Sequence, residues 1–213
     1  MTAAARPPGT GTRRLLPLLA MVAVFAAPVV AAWFLYLNPE YLPSARSNRG
    51  DLLEPVVPLE ASLGLEGPQG GPFDLGDLSG KWTLVAVSPA PCAEACRLRL
   101  ADLGRVWAAL GESRLNVERL LVVSVPEGGA AVDAGFASEL SGLRIAVAGP
   151  AAARALAARL GAGGLERTYI LDPFGQLMMR YSPDAPARDV LKDMERLLKA
   201  SKNWIKGAQY GHR

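Results

Sequence analysis

One uncharged segment, Leu15 to Leu37, limits what this chain can fold into more than any other feature of its sequence. The run is apolar throughout and long enough to cross the hydrocarbon core of a bilayer as a helix. A cleavable signal peptide has a shorter apolar core, roughly 7 to 15 residues, followed by a small-residue cleavage site. Here the run ends in bulky Trp33, Phe34 and Tyr36, which suit a membrane interface. The sequence therefore predicts an uncleaved transmembrane anchor over 15–37.

The distribution of charge orients this anchor and argues against a nucleic-acid partner. The formal net charge is +3, and Arg6, Arg13 and Arg14 account for all of it because no acidic residue precedes the apolar run. Since cytoplasmic flanks collect Lys and Arg, 1–14 is predicted to be a cytoplasmic tail. The expected location is the inner (cytoplasmic) membrane, single-pass, with the C-terminal domain in the periplasm. That compartment is oxidising, so a disulfide can persist there.

Beyond the anchor, composition divides the chain into a linker, one domain and a tail. Residues 38–69 are interpreted as a linker because they are largely rich in Pro, Glu, Leu and Ser without a sustained period. The domain is predicted over 70–204, and 205–213 is predicted to be a C-terminal tail. No internal repeat or low-complexity tract competes with this division.

Apolar runs and helical spacing give the first elements of this domain. Trp82 to Val87 and Leu120 to Val125 are short, continuous apolar runs, typical of strands covered on both faces in a parallel sheet. Leu143 to Ala148 is a weaker third strand. An apolar stripe at helical spacing between the first two strands predicts a crossover helix. The stripe comprises Cys96, Leu100, Leu103, Trp107 and Leu110.

The second half of the domain completes a recognisable order of elements. Pro150 to Leu160 is predicted to be a helix, with Pro at its start and Gly161 after its end. Thr168 to Tyr181 reads as an antiparallel hairpin around an Asp-Pro-Phe-Gly turn, and Pro186 to about Trp204 as a closing helix. This order predicts an α/β fold, a thioredoxin-like sandwich with an N-terminal transmembrane helix.

Cys92 and Cys96, the only cysteines, fall where the first strand of this domain meets the N-terminus of its first helix. Unpaired N–H groups and the positive end of the helix dipole stabilise a thiolate there. Spaced by four residues, the two thiols can chelate a soft ion such as Cu(I) or, with local distortion, close a disulfide. Burial as two small hydrophobic residues is the alternative. Arg97 and Arg99 add positive potential if they turn toward the sulfurs, and none if they point at solvent.

A resemblance to the Sco (SenC) proteins is carried by GGPFDLGDLSGKWTLVAVSPAPCAEAC, LRIAVAGPAAARALAARLGA and YILDPFGQLMMRY. Those proteins are membrane-anchored, thioredoxin-like factors that help to assemble the copper site of cytochrome c oxidase. The resemblance implies that Cys92 and Cys96 are redox-active, catalytic thiols and Cu(I) ligands, and Glu94 falls where the family usually has an acidic residue. It implies Cu(I) as the candidate cofactor. The implied partners are the membrane and a cytochrome c oxidase subunit or another assembly factor.

The sequence departs from this family at the third copper ligand. The resemblance implies a histidine near Gly164, where the chain reads GAGGLERTYI. The sole histidine, His212, is interpreted as a residue of the C-terminal tail. Met178 and Met179 are interpreted as hairpin residues, one packed and one facing outward, rather than as thioether ligands. A site that depends on histidine support is therefore not expected.

The same segment also lacks the proline that thioredoxins place, in the cis form, opposite their cysteine pair. Glu166 and Arg167 are the nearest polar residues there, and they are interpreted as solvated charges rather than substrate contacts. Peroxidase chemistry is not expected because Pro89 stands where peroxiredoxins need a threonine or serine three residues before the reactive cysteine.

Three functions remain open at this point. The first is a thiol–disulfide factor in which Cys92 attacks a partner disulfide and Cys96 resolves the mixed intermediate. The second is a metallochaperone that carries Cu(I) on the same two thiolates. The third is a non-catalytic assembly or scaffold protein. The missing histidine favours the first function over the second, and the survival of both cysteines argues against the third.

Overall fold

The chain divides into two units, Met1–Ser47 and Asn48–Arg213. The computed structural model describes residues 11–38, 41, 48–127 and 142–210, and describes side chains over 17–38, 41, 48–127 and 142–201.

The first unit contains one long helix, α1, over Gly11–Leu37. Its segment Pro17–Leu37 is long and apolar enough to cross a membrane, and nearly all of its side chains are exposed. Pro17 and Pro28 lie inside the helix, and transmembrane helices tolerate prolines at such positions better than soluble helices do. The expected N-terminal apolar helix is confirmed, and it fits a single-pass membrane protein.

The second unit is built on a six-stranded mixed sheet. In chain order its strands β1 to β6 are Asp51–Pro58, Trp82–Pro89, Val117–Ser124, Arg144–Ala148, Thr168–Leu171 and Gln176–Tyr181. Their spatial order is β1-β6-β5-β2-β3-β4. Strands β2, β3 and β4 are parallel, whereas β5, β6 and β1 extend the sheet with antiparallel pairings.

Helices cover both faces of this sheet. Helices α2 (Glu94–Ala109) and α4 (Ala187–Tyr210) pack on one face, and α3 (Pro150–Leu160) packs on the other. Each face has its own apolar cluster, because the central strands are buried on both sides. The predicted crossover helix, the hairpin and the thioredoxin-like α/β architecture are confirmed. The buried positions of α2 are Cys96, Leu100, Leu103 and Val106.

Strand β1 lies inside the segment that the sequence analysis assigned to the linker. It pairs with β6 at the edge of the sheet, and Leu53, Leu59, Leu63 and Leu65 bury their side chains in the cluster beneath α3. The domain therefore begins near Asn48 rather than at residue 70. Two prolines hide the strand pattern in the sequence, and an edge strand can tolerate them because one side of its backbone needs no ladder partner.

The last helix also differs from its predicted end. Helix α4 continues to Tyr210, so most of the predicted tail over 205–213 is helical. Side chains beyond Ser201 are outside the described residues. The glycine at position 207 has a low helix propensity, so the sequence predicts an earlier end for this helix.

The chain enters the domain at the end of the sheet where β2 finishes. Ala86 pairs with Thr168, Thr168 with Tyr181, and Arg180 with Asp51. Across the sheet, these pairings align the end of β2 with the beginning of β1. Strand β1 therefore begins at the same end of the sheet as the cysteine loop.

Candidate functional site

Cys92 and Cys96 are joined by a disulfide bond in the structure. Cys96 lies in the first turn of α2, whereas Cys92 precedes the N-cap residue Ala93 and so lies outside the helix. Their Cα atoms are 5.3 Å apart, inside the range of about 4.4 to 6.8 Å that disulfides use. The local distortion that the sequence analysis required is the extended backbone at Ala93.

The two sulfurs differ in their access to solvent. Cys96 is 4% exposed and packs in the core beneath α2, whereas Cys92 is only half-buried against the same cluster. A protein partner can therefore reach Cys92 but not Cys96. Cys92 is therefore the more accessible cysteine of the pair.

The start of α2 leaves its first N–H groups available to a sulfur anion. Ala93 is the N-cap residue and has no side chain that could accept a hydrogen bond from them. Unpaired N–H groups at a helix start stabilise a thiolate and lower the pKa of its thiol. The start of α2 therefore lacks a side-chain cap directly beside Cys92.

Gly164 occupies the place where the Sco resemblance implies a histidine. It is buried in the turn Gly164–Glu166, which adjoins the end of β2. A Cβ atom at this position would collide with the Cβ of Leu160 and would lie 3.2 Å from the hydroxyl oxygen of Tyr169. That hydroxyl also donates a hydrogen bond of 2.7 Å to the Gly164 carbonyl oxygen. Packing therefore leaves no room for any side chain here, and the position presents only backbone.

The donor set around the cysteines is correspondingly small. Within the described part of the chain, no cluster of three or more His, Cys, Asp or Glu residues could hold a metal ion. The reduced pair alone has the soft donors that suit Cu(I), and its two thiolates form a two-donor site.

Arg99 is a site residue that sequence reasoning left undecided between sulfur and solvent. It is half-buried, and its Nη1 donates a hydrogen bond of 3.2 Å to the Val87 carbonyl oxygen of β2. Burial lowers the pKa of its guanidinium, and the Glu166 carboxylate opposes that change. Glu166 itself is exposed, in keeping with its interpretation as a solvated charge. In the sequence, the spacing of three residues indicates that Arg99 and Cys96 are neighbours on the surface of α2.

A cleft of about 240 Å³ lies alongside α2. Its wall includes Ala95, Leu98 and Arg99 of the helix and Thr168 of β5. Leu98 is 60% exposed, so an apolar side chain faces solvent close to the cysteines. The cleft leaves Arg99 accessible from solvent on one side.

The other residues that the sequence singled out occupy exposed, turn and core positions. Glu94 is exposed in the first turn of α2, and Arg167 donates a hydrogen bond to the Gly163 carbonyl oxygen. Met179 is buried, and Met178 is half-buried against the same core cluster, so neither points fully outward. The position of His212 is outside the described residues.

The fold and the bonded cysteine pair define a thioredoxin-like domain with a Cys-x-x-x-Cys site. A family model described as "Transmembrane-like, thioredoxin-like, C-terminal domain" matches residues 82–201. The chain belongs to this family. No curated protein gives a significant match to the sequence.

Solved structures of Sco proteins share this fold. Apo Sco1 from Thermus thermophilus has 22% identity and a TM-score of 0.55, covering 73% of this chain and 99% of that one. Copper-bound ScoI from Arabidopsis thaliana has 14% identity and a TM-score of 0.50, covering 72% and 98%. Copper-bound yeast Sco1 has 15% identity and a TM-score of 0.50, covering 63% and 89%. At such identities the likeness establishes the fold, and it confirms the expected Sco-like thioredoxin domain.

Proposed function

We propose that this protein is a membrane-anchored, extracytoplasmic thiol–disulfide factor that assists assembly of the copper site of cytochrome c oxidase. The observation that carries the proposal is the Cys92–Cys96 disulfide at the start of α2. The apolar helix α1 supports an anchored protein. The arginines before it support an inner-membrane location with the domain in the periplasm.

The exchange uses the two sulfurs in a fixed order. In the reduced protein, the Cys92 thiolate attacks one sulfur of a partner disulfide, and the other partner sulfur leaves as a thiolate. Cys96 then attacks Cys92 Sγ, forming the intramolecular disulfide and releasing the second partner sulfur. In net terms, two electrons and two protons pass to the partner, which is left with two thiols. A separate dithiol donor protein reduces the pair for the next cycle.

The chemistry of copper ligation indicates why an oxidase subunit suits this activity. Thiolates are copper ligands, whereas sulfurs joined in a disulfide have no thiolate to offer. The cysteines of a copper-binding subunit must therefore be reduced before the metal enters. A reductant anchored in the same membrane would meet that requirement.

Trapping the mixed disulfide tests this function directly. With the full chain in membranes, Cys96→Ser should accumulate an adduct between Cys92 and the copper-binding oxidase subunit, because the resolving thiol is missing. The adduct is read on a non-reducing gel and identified by mass spectrometry. Cys92→Ser is the matched control and should form none. Intact oxidase assembly in Cys92→Ser/Cys96→Ser cells would contradict the proposal and favour the scaffold function.

Carriage of Cu(I) is the second candidate function, since the fold is shared with Sco proteins solved with copper bound. Here Cu(I) would be cargo held by the two reduced thiolates and passed on by ligand exchange. Gly164 weighs against tight binding because it supplies no side-chain donor. Anaerobic Cu(I) titration against a competing chelator separates the functions. Affinity no better than that of Cys92→Ser would exclude the carrier function.

A further inference from the structure

Helix α4 carries all of its basic residues on one side. With about 3.6 residues per turn, these positions fall within an arc of about 120° around the helix axis. The four of them whose side chains the structure describes are all exposed to solvent, and the last two continue the same spacing in the sequence. The six residues form the basic row, which comprises Arg188, Lys192, Arg196, Lys199, Lys202 and Lys206.

The opposite side of α4 is the side that the domain covers. Val190, Met194 and Leu198 are buried in the apolar cluster between α4 and the sheet. One turn further on, the hydroxyl oxygen of Ser201 accepts a hydrogen bond of 2.9 Å from the indole N–H of Trp82. The basic row therefore faces away from the core along the length of the helix that packs on the sheet.

The three acidic residues of α4 do not neutralise the row. Asp193 is buried, and its Oδ2 accepts hydrogen bonds from the backbone N–H groups of Arg49 and Gly50. Asp189 is half-buried and pairs with the guanidinium of Arg49 at 3.1 Å. Only Glu195 is exposed within the arc of the row. Six cations and one exposed carboxylate leave five net positive charges on the solvent side of the helix.

Two contacts connect the row to the other two carboxylates, and both are long. Arg188 Nε lies 4.0 Å from Asp189 Oδ1, and Arg196 Nη1 lies 3.8 Å from Asp193 Oδ1. Both distances exceed the length of a hydrogen bond. The two arginine side chains are 78% and 53% exposed, so both guanidinium groups remain open to a further anion.

The chain that comes from α1 meets the domain at this same helix, through the contacts of Arg49 and Gly50 with α4. Ten residues lie between Leu37, the end of α1, and Asn48, the start of the domain. Such a segment spans at most about 35 Å even when fully extended. With α1 in a bilayer, the lipid surface is therefore the anionic partner that the row meets at the highest effective concentration.

We propose that the basic row of α4 binds the anionic headgroups of the bilayer in which α1 is anchored. Rows of Lys and Arg are attracted to anionic phospholipids, and salt screens the attraction. Helix α4 begins at Ala187, just after β6 ends on the sheet end that carries the cysteine loop. Docking would thus hold Cys92 near the membrane surface, within reach of other membrane proteins. The inference goes beyond the thiol–disulfide function and does not depend on it.

The test uses the oxidised full-length protein in nanodiscs of phosphatidylcholine alone or of phosphatidylcholine mixed with phosphatidylglycerol. A brief reaction with an acetylating ester, read by mass spectrometry, gives the rate at each lysine. At low salt, Lys192 and Lys199 should react about tenfold more slowly in the anionic discs, because bound headgroups cover them. Lys81 lies just before β2 and outside the row, and it is the internal reference. High salt should remove the protection.

Charge reversal within the row should abolish this protection. Lys192→Glu/Arg196→Glu lowers the net charge of the row by four, so Lys199 should react equally fast in both kinds of disc. Arg154→Glu/Arg159→Glu is the matched control, since it reverses two exposed arginines of α3 on the other face of the sheet. The control should keep the full protection of Lys199.

Glu195→Gln provides a test of opposite sign. It removes the one exposed carboxylate from the arc, so protection of Lys192 and Lys199 should persist to a higher salt concentration than in the parent protein. A loss of packing would not produce opposite shifts in the two kinds of variant. Glu195→Gln also carries the test if Lys192→Glu/Arg196→Glu fails to fold.

Equal acetylation of Lys192 and Lys199 in neutral and anionic discs would overturn the inference. A loss of protection in Arg154→Glu/Arg159→Glu as large as in the α4 variant would also overturn it. Protection by an added oxidase subunit in neutral discs, with no effect of anionic lipid, would assign the row to a protein partner instead. No readout here involves the cysteines, so failure of the mixed-disulfide trap leaves the docking result standing, and the reverse also holds.

Discussion

At the residue scale, a buried carboxylate connects the first residues of the domain to its last strand and last helix. Asp193 of α4 is 2% exposed. Its Oδ2 accepts hydrogen bonds from the backbone N–H groups of Arg49 at 2.8 Å and Gly50 at 2.9 Å, and from the Tyr181 hydroxyl at 3.0 Å. An added Cβ at Gly50 would lie 2.7 Å from the Tyr181 ring, so glycine lets the chain pass closely over it. One side chain thus ties the incoming segment to β6 and α4.

Replacing that carboxylate should cost stability. Asp193→Ala leaves two N–H groups and a phenol without their acceptor in a buried place, and we expect the free energy of unfolding to fall by about 3 kcal/mol. Urea denaturation of the oxidised domain measures it. The control is Glu195→Ala, which removes an exposed carboxylate from the same helix and should change stability by less than about 0.5 kcal/mol. Equal losses would show that Asp193 has no special role.

Tyr181 predicts how stability depends on alkaline pH. Burial, followed by the Asp193 carboxylate, raises the pKa of this phenol well above its ordinary value. Above about pH 10 the unfolded chain releases this proton while the folded protein keeps it. The free energy of unfolding should therefore fall as pH rises past 10, by up to about 1.4 kcal/mol per pH unit.

Denaturant midpoints of the oxidised protein between pH 9 and pH 11 check this dependence. Tyr181→Phe removes the titrating group, so its stability should fall less steeply above pH 10, even though the variant starts from a lower value. Tyr41→Phe replaces an exposed tyrosine outside the domain and should leave the slope unchanged. A slope in Tyr181→Phe as steep as in the parent would contradict the assignment.

At the element scale, periodicity predicted most of the secondary structure correctly. The apolar stripe of α2, the proline and glycine that bound α3, and the turn between β5 and β6 are all local signals, so they survive without tertiary information. The register of β6 is not local. Leu171 pairs with Leu177 and Ile170 with Met179, leaving Met178 as an extra residue in a bulge.

That bulge explains why the two methionines differ from expectation. Without it, Leu177 and Met179 would share a face of the sheet, since side chains alternate along a strand. With it, Leu177 packs beneath α3 while Met179 packs beneath α2 and α4. The pairing of β6 with β5 determines this change of face, and no residue of the hairpin sequence predicts it.

The turn before β5 yields a prediction of its own. Gly164→Ala places a methyl group against Leu160 and Tyr169, so we expect a loss of about 2 kcal/mol in the free energy of unfolding. Gly67→Ala is the control, because the nearest atom to a Cβ there is the Gly70 carbonyl oxygen at an ordinary 3.6 Å. Thermal or urea denaturation of both variants measures the difference. If Gly164→Ala were as stable as Gly67→Ala, the packing account of the missing histidine would be wrong.

At the scale of the whole molecule, the sequence predicts the apolar helix and the domain correctly but places the start of the domain too late in the chain. The length of the uncharged, apolar run is sufficient to predict α1. Strand β1 is recognised only through its pairing with β6, which comes more than a hundred residues later in the chain. The cysteines and the missing histidine could be read from the sequence, whereas the hydrogen bond from Arg99 to the Val87 carbonyl oxygen depends on where α2 meets β2.

Two fragments test where the domain begins. The fragment 48–213 should fold as the full chain does, because it keeps β1 and the contacts of Arg49 and Gly50. The fragment 70–213 loses the four buried leucines that precede residue 70 and should be less stable by about 5 kcal/mol or more. Circular dichroism and urea denaturation compare them. Equal stability of the two fragments would show that β1 belongs to the linker and not to the folded domain.

The central claim is that Cys92 and Cys96 form a reversible redox pair on an anchored domain. The most direct test is the reduction potential of the pair in the full-length protein, held in membrane mimetic and equilibrated with glutathione or dithiol buffers. The account predicts a value between about −180 and −300 mV, within the range of exchanging disulfides, with Cys92 alkylated first after reduction. A potential well below about −300 mV would mark the bond as structural and contradict the account.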